Sequence, residues 1–136
     1  MKCRARLAVR MRHAVALLAA LVLSGCAGGS DEDQGDLVSR SWTLAPGAWA
    51  EVDLRMSAGA RVDAVFGAQA PLAWDVHSHG QDGVRQHHSG TAATGTIRFE
   101  APAAGVYSLF WENRGRTTTR LDITVTGDAD VERIVP

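Results

Sequence analysis

Cysteine is nearly missing from this chain of 136 residues: it occurs only at Cys3 and Cys26, so residues 27–136 contain no thiol. That stretch can form no internal disulfide, cysteine nucleophile or thiolate-bound metal, which excludes blue-copper and zinc-ribbon sites. Long apolar runs are also missing. The longest, residues 14–23 (AVALLAALVL), spans ten residues, whereas a membrane-crossing helix needs about 20. There is no excess of positive charge beyond the start of the chain: residues 26–136 carry 9 arginines against 15 acids, a net of −6. A nucleic-acid partner is excluded on that ground, because binding one requires a basic face to neutralise phosphates. The Gly-x-Ser-x-Gly elbow, the His-Glu-x-x-His helix and the phosphate-cradling glycine loop are absent too, so none of the usual catalytic geometries can be assembled.

The basic residues Lys2, Arg4, Arg6, Arg10 and Arg12 precede the apolar run, which is followed by Leu23-Ser24-Gly25-Cys26. This succession reads as a secretory signal over residues 1–25. Leu-Ser-Gly-Cys resembles the lipobox of bacterial lipoproteins, which implies cleavage before Cys26 and acylation of its thiol. Acyl chains there hold a protein on a membrane without a spanning helix, at about 0.8 kcal/mol per buried CH₂. The next residue is Ala27 rather than Asp. In a Gram-negative cell the resemblance then implies the periplasmic face of the outer membrane. Residues 26–36 follow as the lipidated cysteine and a Gly-, Ser- and acid-rich tether with too little apolar surface to fold.

From residue 37 the apolar side chains keep period two. Val52, Leu54 and Met56 alternate with Glu51, Asp53 and Arg55, and Leu121, Ile123 and Val125 with Asp122, Thr124 and Thr126. Similar runs at residues 61–66, 72–79, 84–88, 94–100 and 106–112 are separated by turn-forming residues, Ser89-Gly90 among them. No helical period occurs beyond the leader. The expectation is an all-β domain over residues 37–127, an antiparallel two-sheet β-sandwich of about eight strands, with a loosely held tail at 128–136.

Within residues 95–115 (GTIRFEAPAAGVYSLFWENRG), a strand ending in Phe-x-Ala-Pro, a tight turn and a strand of the form Tyr-x-Leu-x-Trp-x-Asn resemble the GOLD domain. The same stretch is similar to the PPC domain appended to secreted bacterial peptidases. The resemblance implies a jelly-roll-like or GOLD-like sandwich and a binding or accessory role without a catalytic centre. The disulfide, coiled coil and membrane helix of the cargo-receptor GOLD proteins are missing here.

The four histidines beyond the leader fall within twelve residues: His77, His79, His87 and His88. Alternate strand residues share a face, so His77 and His79 lie side by side with Asp75 in the same row. Pairing of His79 with Val84 across Gly80–Gly83 brings His88 to that face, and a slip of one residue brings His87 instead. Three imidazoles and a carboxylate suit copper or zinc, with an open position for water. A plain polar sheet surface and a pH-responsive contact surface fit the same residues. Trp49, between two alanines after a Pro-Gly turn, is the aromatic expected to be partly exposed and to contact a partner. The expected function is a lipid-anchored, non-enzymatic module that binds another component of the bacterial envelope. The alternatives are a copper- or zinc-binding lipoprotein and, more remotely, a metal-dependent hydrolase.

Overall fold

A computed structural model describes residues 35–136; the leader, Cys26 and most of the tether lie outside them. The described residues form seven strands and no helix: β1 (Val38–Leu44), β2 (Trp49–Met56), β3 (Arg61–Gly80), β4 (Gly83–Glu100), β5 (Gly105–Glu112), β6 (Thr119–Gly127) and β7 (Asp130–Val135). The reversals fall where turn chemistry is concentrated. Gly47, Gly59 and Gly83 take φ of 79°, 78° and 100°, a region that costs glycine little.

All pairs are antiparallel, in the order β1-β6-β3-β5-β2-β7, with β4 on the other side of β3. The network is nearly closed into a barrel. The longest strand, β3, changes partners along one of its edges. Residues 62–68 of β3 pair with β6 and residues 73–78 pair with β5, while β4 accompanies β3 on both sides of the register break between Gly67 and Leu72. Pro71, which has no amide hydrogen to donate to a ladder, falls inside that break.

The alternating apolar residues converge on one core. It takes Val52 and Leu54 from β2, Val62 and Phe66 from β3, Phe99 from β4, Leu109 and Trp111 from β5, and Leu121 and Val125 from β6. The residues that carry the GOLD-like and PPC-like resemblance have structural work. The Tyr107 hydroxyl donates to the Ala103 carbonyl at 2.8 Å, tying the turn to the start of β5. Asn113 is buried, donates to the carbonyls of Leu44 and Thr117, and accepts from the Gly115 amide.

Three expectations are corrected. The runs at 61–66 and 72–79 are one strand, as are those at 84–88 and 94–100, so the eight expected runs become six strands, and β7 brings the described residues to seven. Ser89-Gly90 is not a turn. Gly90 pairs with Trp74, and a Cβ there would lie 2.7 Å from the indole, so the glycine makes room for a ring within a continuous strand. The tail expected to be loose forms β7, which adds to the edge of β2. Its apolar residues, Val131, Ile134 and Val135, do not alternate, which hid it, although Ile134 packs against the core; ion pairs add to that contact: Arg55 to Glu132, and Arg133 to Glu51 and Asp53 at 2.8 Å each.

Candidate binding groove

The side chains of β2, β5 and β3 that point away from the core form cross-strand rows. One row runs Arg133, Asp53, Ser108, His77, Gln86; the next runs Val135, Glu51, Phe110, Asp75, Ser89; a third runs Trp49, Glu112, Ala73, Thr91. These residues occupy alternate positions to Val52, Leu109 and Val76, which fill the core.

Polar interactions fix this face. Ser108 donates to Asp53 at 2.6 Å, and Arg133 spans Asp53 and Glu51. His77 Nδ1 lies 2.6 Å from an Asp75 oxygen, and its Nε2 faces Glu51 at 3.7 Å. Burial and the charge of Asp53 push the Glu51 carboxyl above its ordinary range, with His77 and Arg133 acting the other way. Asp53 is buried as well, which favours protonation. Hydrogen bonds from Ser108 and Arg133 outweigh that and hold its carboxyl below the usual value.

Two depressions adjoin on this face, of about 300 Å³ and about 200 Å³. Asp75, Gln86 and Phe110 line both, so they form a common floor. His77 and Val84 bound one end; Ser89, Thr91 and Arg114 bound the other. Trp49 stacks on Phe110 with ring centroids 5.7 Å apart and is 39% exposed. His77 meets the Phe110 ring edgewise.

The structure divides the histidines. His79 pairs with Val84 as one of the two registers required, and His77 with Gln86, but Val76 then pairs with His88. His87 is an extra residue, a β-bulge that shifts the alternation of everything beyond it. His77 and His79 stay together on the outer face with centroids 5.0 Å apart. His87 and His88 pack against Phe99 of the core instead, and the Nε2 of His87 lies 2.9 Å from the Ser78 hydroxyl. Burial, with the charges of Arg85 and His88, lowers the His87 pKa. The expected convergence of three imidazoles is therefore corrected. Among the described residues no group of three or more His, Cys, Asp or Glu is arranged to hold a metal ion.

Asp75, His77 and His79 share one face, as the alternation required; Trp49, expected on a surface of its own, joins them there through its stack on Phe110. Gln86, Phe110, Glu51 and Arg133 were not singled out beforehand for this face. Phe110 and Glu51 carried a usable signal, since each opposes core residues in its own strand; Gln86 and Arg133 did not, because their placement depends on the bulge and on β7.

Fold and face together define an antiparallel β-domain with a shallow, polar, ring-floored groove on one surface. No family model matches the chain, and no curated protein matches it in sequence. Among solved structures, the Yersinia pseudotuberculosis-derived mitogen is similar with a TM-score of 0.58 and 11% identity, over 72% of this chain and 92% of that one. PirA is similar with a TM-score of 0.50 and 20% identity, over 64% of this chain and 92% of that one. At such identities the likeness concerns the fold alone.

Proposed function

We propose that this chain is a lipid-anchored binding module of the bacterial envelope, without chemistry of its own, that holds another envelope component in the groove over Asp75, Gln86 and Phe110. The observation that carries the reading is that floor: two adjoining depressions share one ring and two hydrogen-bonding side chains, the mixture typical of a small-ligand site. The change of partner along β3, from β6 to β5, supports reading the domain as a two-sheet jelly-roll sandwich, related in form to GOLD and PPC domains. The lipobox-like Leu23-Ser24-Gly25-Cys26 supports attachment through Cys26, on the periplasmic face of the outer membrane in a Gram-negative cell. Copper or zinc binding is the second and weaker reading, which rests on two neighbouring imidazoles, His77 and His79, with centroids 5.0 Å apart.

Replacing Cys26→Ser should move the protein from the membrane to the soluble fraction; a variant that stays membrane-bound and uncleaved would overturn the anchor. A photo-crosslinking residue in place of Gln86 should give a discrete adduct in living cells. The same residue in place of Val65, which is 53% exposed on another surface, should not. Equal labelling from both positions would remove the groove from the proposal. Metal analysis of untagged protein decides the second reading, because bound copper or zinc should disappear in His77→Ala and His79→Ala.

A further inference from the structure

A ligand for this groove has to satisfy its chemistry. The floor that the two depressions share has one apolar ring, Phe110, backed by the stacked Trp49, with Trp74 and Val84 lining one depression each, a small and divided apolar surface rather than the continuous stripe that a hydrophobic helix face needs. The surrounding groups are short hydrogen-bonding side chains on a rigid sheet. Asp75 has one oxygen on His77 and a second oxygen available to the groove, and Gln86 brings both a donor and an acceptor. Charge favours neither a polyanion nor a polycation. Asp75 is opposed by Arg114, which is itself paired with Glu112 at 2.6 Å.

The backbone narrows the choice further. The β3 residues of the floor are hydrogen-bonded on one side to β5 and on the other to β4. An extended peptide, which binds a sheet by pairing with free main-chain groups, finds none over β3 and β5; among the described residues the unpaired edge beside the groove is the outer edge of β4, to one side of the Phe110 ring rather than over it. What remains is a ligand with an apolar face for the ring and a rim of groups that both donate and accept. A sugar ring has that form, with C–H bonds on its faces and hydroxyls around its edge.

We infer that the groove over Asp75, Gln86 and Phe110 binds a neutral saccharide, with Phe110 under the sugar face and Asp75 and Gln86 hydrogen-bonded to its hydroxyls. This inference rests on the reading of the chain as a binding module and names its ligand class. The two adjoining depressions give it room for more than one sugar unit, so an oligosaccharide binds better than a monosaccharide.

The test is an array of neutral oligosaccharides built from glucose, mannose, galactose and N-acetylglucosamine. Any saccharide that is retained is then titrated into the protein while tryptophan fluorescence and amide chemical shifts are recorded. Trp74 lines the groove and Trp49 stacks on its floor, so both fluorescence and the shifts of β3, β4 and β5 should respond. Gln86→Ala and Phe110→Ala should each weaken binding about tenfold or more, the loss expected for one hydrogen bond or one ring contact. Gln86 is exposed, so its variant keeps the test valid if Phe110→Ala melts early. Absence of any retained saccharide at millimolar concentration, or affinity unchanged in both variants, overturns the inference. So do shifts centred on Val65 or His87. If no saccharide binds but the Gln86 crosslinker still gives its adduct in cells, the ligand class is wrong and the binding module stands; if neither occurs, both fall.

Discussion

Gly127 is the residue at which sequence choice is tightest. Its φ is +124°, and an added Cβ would lie 2.2 Å from the Arg61 carbonyl oxygen, a backbone atom that cannot turn aside. Gly127→Ala should therefore destabilise the domain by at least about 2 kcal/mol, strain and clash combined; a denaturant midpoint like that of wild type would contradict the geometry. In β5 the alternation separates packing from recognition. Leu109 is 1% exposed, so Leu109→Ala should cost about 2–5 kcal/mol, whereas Phe110→Ala on the outer face should cost clearly less. Equal losses would mean that both faces of β5 are covered alike. His87 adds a pH dependence. Its folded pKa is lowered, so the unfolded chain binds the proton more tightly and stability rises with pH across the interval between the two values. The contribution is fully present above about pH 6.5 and is lost as pH falls below it toward the folded value. Melting temperatures between pH 7.5 and 5 should fall in wild type and fall less in His87→Gln, which keeps a hydrogen-bonding group for Ser78; parallel curves would remove His87 as the cause.

At the scale of strands, the period-two runs were legible and their continuity was not. Glycine and proline in β3 and β4 carry the same signature in a turn, in a register break and beneath an aromatic ring, and only the partner strand distinguishes them. Gly90 under Trp74 and Pro71 in the break are the two cases here. The same limit hid the His87 bulge, since one extra residue in β4 leaves no mark in the sequence and yet sends two of four histidines to the other side. β7 was missed for a different reason: its three apolar residues do not alternate, and ion pairs supplement the packing of Ile134 on the core. Asp53 makes this testable. Its carboxyl is held below its ordinary value, so its stabilising share is present above about pH 4 and is lost as pH falls through the lower folded value. Arg133→Ala should raise the Asp53 pKa, lower stability at neutral pH and flatten the acid-side decline. Amide exchange in β7 should become faster than in β6. Unchanged protection of β7 would show that its backbone ladder holds it without the arginine.

For the molecule as a whole, the order in which strands pair sets how the chain can fold. β1 pairs with β6, joining Val38 to Val125, and β2 pairs with β5 across the whole length of β3 and β4. Almost every stabilising ladder except the β3–β4 hairpin closes a long loop, whose entropy is lost before the contacts that offset it are made. The hairpin alone cannot bury the core, because Trp111, Leu109, Leu121 and Val125 belong to strands that arrive later. Folding should therefore be slow and cooperative, on the order of milliseconds to seconds as in other β-domains dominated by distant pairings. Stopped-flow refolding of residues 30–136, followed by the fluorescence of buried Trp111 and by far-ultraviolet dichroism, should give one coincident phase in that range. Phe66→Leu loosens the edge contact between Phe66 and Trp111 across the interior, at centroids 6.0 Å apart, and leaves the hairpin register unchanged, so it should act more on the final packing than on early β3–β4 pairing. Complete refolding within microseconds, or a strand signal that is fully developed long before Trp111 is buried, would show that β3 and β4 form a stable unit by themselves, against the single core in which all the larger strands share.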